Sequence, residues 1–138
     1  FHAATSDGKD QVTLWGTGLP RREFLHVDDL AQAALFVLNL PPARYQAVTT
    51  PFQSHLNVGT GRDIAIAALA EMVAEVTGFQ GKIVMDPSKP DGTPRKLLDV
   101  GVMNRLGWRA RIDLPQGLRD TYAWFTAQRE AGATLRAS

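Results

Sequence analysis

The chain has 138 residues, with 15 basic and 14 acidic side chains and a formal charge of +1, so no global field favours nucleic acid or a membrane surface. It contains no cysteine, which excludes disulfides, thiolate metal sites and cysteine nucleophiles and is compatible with the cytoplasm. Apolar content of 44% and charged content of 21% are ordinary for one globular domain, and no apolar run approaches the roughly eighteen residues of a membrane span or forms a leader.

The chain opens on Phe1, not Met, and reads as a piece of a longer protein. Residues 1–10 read as a helix end running into a polar loop, stopped by Ser6-Asp7-Gly8. Gln11-Val12-Thr13-Leu14-Trp15 alternates and is β-rich, which predicts a strand. Gly16-Thr17-Gly18-Leu19-Pro20 follows as a turn. Two glycines one residue apart hint at a phosphate loop. The third glycine is missing, however, and Pro20-Arg21-Arg22 stands where a helix would have to start, so a plain turn is preferred.

Arg22 to Val27 reads as extended, and Asp28-Asp29 starts a helix from Leu30 to Leu40. Asp29 is the expected cap, with Gln32 as its capping-box partner. Two acids there suit the helix dipole, and this reading is preferred to a catalytic carboxylate pair. Leu30, Ala34, Val37 and Leu38 form the expected apolar face, and Pro41-Pro42 ends the helix. His26 stands alone between Leu25 and Val27, with His2 and His55 far off in sequence. A hydrogen-bonded structural histidine is therefore preferred to a metal ligand or a general base.

Ala43 to Ser54 reads as loop, His55 to Gly59 as a short buried strand, and Thr60-Gly61 as a turn. Ile66, Leu69, Ala70, Val73 and Val76 mark an amphipathic helix closed by Gly78. Lys82 to Met85 is a predicted strand and Val100 to Leu106 a short helix before Gly107. Asp113, with Gln116 three residues on, caps a last helix bearing Leu118, Tyr122 and Phe125. Residues 129–138 form a polar, alanine-rich tail expected to fray. The expected order is β, β, α, β, α, β, loop, α, α, an α/β fold in which no nucleophile–base–acid set assembles.

Ser88-Lys89-Pro90-Asp91-Gly92-Thr93-Pro94-Arg95-Lys96-Leu97-Leu98-Asp99 is the stretch around which the chain is organised. Pro90 and Pro94 fix φ and hold their predecessors extended, so this is neither a helix interior nor a central strand. Asp91-Gly92 between them is turn chemistry. A stiff loop rich in charge is a common place to present groups to a ligand. With Trp15 and Arg21-Arg22 it looks like half of an anion site.

Trp15-Gly16-Thr17-Gly18, Arg22-Glu23-Phe24-Leu25-His26-Val27-Asp28-Asp29-Leu30 and His55-Leu56-Asn57-Val58-Gly59-Thr60-Gly61 resemble the extended short-chain dehydrogenase/reductases that act on nucleotide sugars. The run from Lys89 to Asp99 narrows the resemblance to the GDP-L-fucose synthase family, and Leu106-Gly107-Trp108 and Thr121-Tyr122-Ala123-Trp124-Phe125 fit it too. The resemblance implies the carboxy-terminal, substrate-binding part of such an enzyme, residues 1–128, with the Rossmann half absent. It implies epimerisation of GDP-4-keto-6-deoxy-D-mannose at C3 and C5 and reduction of C4 with NADPH.

By the same resemblance the catalytic residues and the NADP fingerprint lie upstream of Phe1, and no metal is expected. Trp15, Arg22 and Asp91 match substrate-binding positions: an aromatic wall, a diphosphate fork and an acceptor for ribose hydroxyls. Lys89 and Arg95 are further candidate contacts. The family usually has Ser or Thr before the helix that begins near Ile66; Ala65 stands there, which leaves Asp63 as the expected cap. The expected partner is a GDP-sugar, without nucleic acid or membrane, in a cytoplasmic homodimer when full-length. The alternatives are another nucleotide-sugar 4-epimerase or dehydratase of the same superfamily, and a non-enzymatic nucleotide-binding module.

Overall fold

A computed structural model describes residues 1–132. In chain order the elements are α1 (His2–Ser6), β1 (Gln11–Trp15), β2 (Arg21–Glu23), α2 (Val27–Leu38), α3 (Pro42–Gln46), β3 (Asp63–Ala65), α4 (Ile66–Thr77), β4 (Lys82–Asp86), β5 (Arg95–Lys96), α5 (Gly101–Leu106) and α6 (Leu114–Glu130). The α/β class expected from the sequence is the one observed.

Two small sheets organise the chain. β1 pairs in parallel with β4, Gln11 opposite Lys82 and Trp15 opposite Asp86. The alternation anticipated for β1 holds, with Val12 and Leu14 turned inward. The second sheet has the order β3-β2-β5. Its central strand, β2, runs antiparallel to β3 and parallel to β5.

Helix α2 departs from its expected cap. His26 is the N-cap, and its Nδ1 accepts from the Asp28 amide at 3.3 Å, so the histidine is structural as anticipated. Asp29 lies inside the first turn, where its Oδ2 accepts from the amides of Arg111 and Ile112, both at 2.9 Å. A carboxylate already committed to a neighbouring segment leaves the capping to His26. The apolar face also differs. Ala33 is fully buried, with Phe36, Val37 and Leu40 beside it, while Leu30 and Leu38 are exposed. Helix α2 is apolar on two sides, and the described residues cover only one.

The Pro41-Pro42 pair both ends α2 and opens α3, because a proline's fixed φ and missing N–H are harmless in a first turn. Residues 55–59, expected as a strand, have no ladder partner among the described residues; Leu56 and Val58 anchor them to the main core. The strand of this region is β3, which the sequence reading missed. Asp63 therefore does not cap α4. The amides of Ile66 and Ala67 instead donate to the carbonyls of Pro20 and Gly18, both at 2.9 Å. Gly78 closes α4 in the left-handed conformation, φ +69°. Asp113 caps α6 through Oδ1 to the Gln116 amide at 2.8 Å, as expected. Helix α6 continues to Glu130, two residues into the expected tail, and residues 133–138 lie outside the described part.

The main core gathers Ala33, Met103, Leu106 and Trp108 under α2 and α5. A second cluster, Ala4, Ala74 and Phe79, joins α1 and α4 to β1 and β4 through Val12 and Ile83.

Candidate functional site

Successive residues of β2 point to opposite faces, and the three side chains divide accordingly. Arg21 donates from Nε to Asp63 Oδ1 at 2.8 Å and from Nη2 to the Asp63 carbonyl at 3.1 Å. Arg95 donates from Nε to the other carboxylate oxygen. The Asp63 side chain is only 5% exposed, and the guanidinium groups of Arg95 and then Arg21 hold its carboxyl below the usual carboxylate range. One carboxylate thus ties all three strands of the second sheet. Arg95, a candidate ligand contact, spends its Nε on that tie.

Glu23 is a second clamp that sequence reasoning missed. Its Oε1 accepts from the amides of Thr60 and Gly61, both at 2.6 Å, and its Oε2 from the Leu98 amide at 3.0 Å. The carboxylate fastens the turn after residue 59 and the end of the 88–99 loop to β2. Its donors come from two distant segments, so no local pattern announces the contact.

Two of the three candidate binding residues, Trp15 and Asp91, lie at the turn that follows β1, and Arg22, on β2 of the other sheet, reaches Gly92 beside Asp91. Trp15 ends β1 with its side chain largely in solvent, 76% exposed. The Lys89 ammonium lies 5.8 Å from the indole centroid and covers one ring face. Asp91 reaches the same turn. Its Oδ1 accepts from the Thr17 amide at 2.8 Å, and its Oδ2 from the Thr17 hydroxyl at 2.6 Å. These two hydrogen bonds, the hydroxyl's first, lower the pKa of Asp91. The sequence reading expected donors for Asp91 from a ligand; the fold supplies two of its own. The Gly16-Thr17-Gly18 turn is no phosphate loop, since the Thr17 amide is already occupied.

Arg22 is half-buried and donates from Nη1 to the Arg21 carbonyl at 2.7 Å. Its Nη2 lies beside Gly92: a Cβ built on that glycine would stand 3.1 Å away. Arg22 also lines a groove of about 440 Å³ together with Arg62, Arg109 and Arg111. These last three arginines were not singled out from sequence, because they come from separate segments. Asp63 and Asp113 line the groove as well, Asp63 already paired with Arg21 and Arg95, so the balance of charge beside Arg22 is positive and suited to an anion. Among the described residues no cluster of His, Asp or Glu could hold a metal ion, and no helix is long and apolar enough to cross a membrane.

The sequence profile of the NAD dependent epimerase/dehydratase family matches residues 1–59. GDP-L-fucose synthase of Escherichia coli (strain K12) is 51% identical over 125 residues, which are 91% of this chain and 39% of that protein. The chain belongs to the extended short-chain dehydrogenase/reductases. Solved structures of this family agree. A GDP-6-OMe-4-keto-L-xylo-heptose reductase from C. jejuni superposes with a TM-score of 0.78 at 38% identity, over 86% of this chain and 34% of that one. A GDP-D-glycero-L-gluco-heptose synthase from Campylobacter jejuni, solved in the presence of NADPH, gives 0.75 at 35% identity, over 85% and 33%. The chain therefore spans little more than a third of the length of these family members.

Proposed function

We propose that residues 1–128 are the substrate-binding part of a GDP-L-fucose synthase, with residues 129–138 as a tail. In this reading the intact protein is a cytoplasmic homodimer that epimerises GDP-4-keto-6-deoxy-D-mannose at C3 and C5 and reduces C4 to give GDP-L-fucose. The observation that carries the reading is that Asp91 is fastened to the turn after Trp15, at the carboxyl end of the parallel pair β1–β4, while Arg22 of the second sheet reaches the neighbouring Gly92. That end of parallel strands is where open α/β sheets bind ligands. The identity with the Escherichia coli enzyme of that name adds to it.

Each side chain has a task that its geometry suits. Trp15 has one face under Lys89, which leaves the other for stacking on a ring. Arg22 keeps donors beyond the one spent on the Arg21 carbonyl, and a guanidinium fork matches two phosphate oxygens. Asp91 retains a lone pair on each oxygen after accepting from Thr17, which suits ribose hydroxyls. NADPH, present with the Campylobacter jejuni neighbour, supplies the hydride when bound. The described residues do not fit it, because the two closely spaced glycine pairs, Gly16/Gly18 and Gly59/Gly61, lead into β2 and β3 instead of a helix and their central amides are taken. No catalytic step is assigned to this chain's own residues.

The test is calorimetric titration of the chain with GDP, UDP and NADPH. The expected result is binding of GDP in preference to UDP, with NADPH weakest. NADPH bound as tightly as GDP, or a preference for UDP, overturns the reading.

A further inference from the structure

We propose that Thr17 is a positioning residue for the sugar-nucleotide site: by engaging both carboxylate oxygens of Asp91 it fastens the Trp15 turn to the 88–99 loop and so fixes the stance of the indole. The inference rests on the substrate-binding reading above and assigns within it a role to a residue outside the substrate-binding set of Trp15, Arg22 and Asp91.

Three observations carry it. First, the contact is two-pronged. Backbone and side chain of one residue donate to the two oxygens of one carboxylate, at 2.8 and 2.6 Å. A single hydrogen bond between exposed loops leaves a rotation free, whereas a pair fixes distance and orientation together. Second, the turn is built around the carboxylate. A Cβ at Gly16 would stand 2.3 Å from Asp91 Oδ1, and Gly16 has φ +87°. Only glycine fits there on both counts. Third, the clasp joins the segments that carry the candidate groups. Trp15 is two residues before Thr17, and Gly92, which Arg22 abuts, directly follows Asp91.

The Thr17 hydroxyl also accepts from the Leu19 amide at 3.2 Å, so its own orientation is set from within the turn. The Trp15 backbone is paired opposite Asp86, so the clasp acts on the indole through the 88–99 loop, whose Lys89 stands 5.8 Å over the ring. Without the clasp the indole would lose that cover and sample more orientations. A ligand would then have to order it, and ordering a side chain on binding lowers affinity. Thr17 touches no ligand in this account. It acts through Asp91 and Trp15.

The experiment compares the parent chain with Thr17→Val, Thr17→Ser, Asp91→Asn and the Thr17→Val/Asp91→Asn double variant, with Trp15→Phe and Arg22→Ala alongside. Two quantities are read: the GDP dissociation constant by calorimetry, and the NMR signal of the Trp15 indole N–H, assigned by its loss in Trp15→Phe. Thr17→Val is expected to raise the dissociation constant by about tenfold and to shift or broaden the indole signal. Thr17→Ser keeps the hydroxyl and is expected to restore both. The double variant is expected to bind no more weakly than the weaker single, since both changes remove one contact.

Failure to recover with Ser, or strictly additive losses in the double variant, overturns the proposal. A loss of affinity in Trp15→Phe and Arg22→Ala with none in Thr17→Val overturns the positioning role alone. Unchanged GDP binding in Trp15→Phe and Arg22→Ala removes the nucleotide reading, and the positioning role falls with it.

Discussion

The Glu23 carboxylate fills the space that a side chain at Gly59 would need: a Cβ there would stand 2.5 Å from Glu23 Oε1. The same oxygen takes the amides of Thr60 and Gly61, and its twin takes that of Leu98. Glu23→Ala would leave these amides without an acceptor and is expected to lower stability by about 2–3 kcal/mol. Gly59→Ala should also destabilise, because the clamp would have to open. Urea unfolding of both variants checks this, and a neutral Glu23→Ala would show that water replaces the carboxylate without loss.

Adjacent arginines on β2 should separate cleanly. Arg22→Ala is expected to raise the GDP dissociation constant by about tenfold to a hundredfold, the worth of a charged hydrogen bond, with little change in Tm. Arg21→Ala strips Asp63 of one of its two partners and is expected to lower Tm with a smaller effect on affinity. Arg22→Lys should recover part of the binding, as a point charge replaces a fork. Calorimetry and thermal melts on the three variants decide it. Equal losses of affinity for Arg21 and Arg22 would place Arg22 among the structural residues.

What the sequence disclosed was local. β1, β4, α4 and α6 were legible because alternation, a closing Gly78 and the Asp113 cap act within a few residues. The three ligand candidates came from family resemblance; the fold links Asp91 to the turn after Trp15 and Arg22 to Gly92. What stayed hidden was set by distant partners. Asp29 looked like a cap until Arg111 and Ile112 claimed it from 82 and 83 residues away. Thr17 is 74 residues from Asp91, and Glu23 is 75 from Leu98. Asp63 read as a helix cap because nothing nearby shows that two arginines will hold it in a strand. On α2 both faces were apolar, and the pattern gave no reason to prefer the one that is buried here.

Acid should loosen the second sheet through Asp63. Its folded pKa is lowered by Arg95 and Arg21, so the folded state holds the ionised form more strongly than the unfolded chain does. The stabilisation is therefore present above the ordinary carboxylate pKa of about 3.9 and is lost as pH falls through the lower folded value. Tm is expected to fall between about pH 5 and pH 2 in the parent. Asp63→Asn, which has no charge to titrate, should be less stable near neutrality and show a flatter fall. Thermal melts across that range check it, and parallel curves for parent and variant would mean that other carboxylates dominate.

Helix α2 carries a second apolar side that nothing among the described residues covers. Val27, Leu30 and Leu38 are 68%, 51% and 80% exposed, and spacings of three and then eight residues place them along one stripe. Monomeric proteins rarely leave such a stripe open, and in the proposed function it would face the remainder of a longer enzyme. By itself the 138-residue chain is expected to bind a dye that reports exposed apolar surface and to associate as its concentration rises. Leu30→Lys/Leu38→Lys changes only exposed positions, so it should suppress both effects while leaving Tm nearly unchanged. Dye fluorescence and sedimentation of parent and variant measure this. A parent that stays monomeric and dark to the dye at high concentration would show that the stripe is tolerated in water and needs no partner.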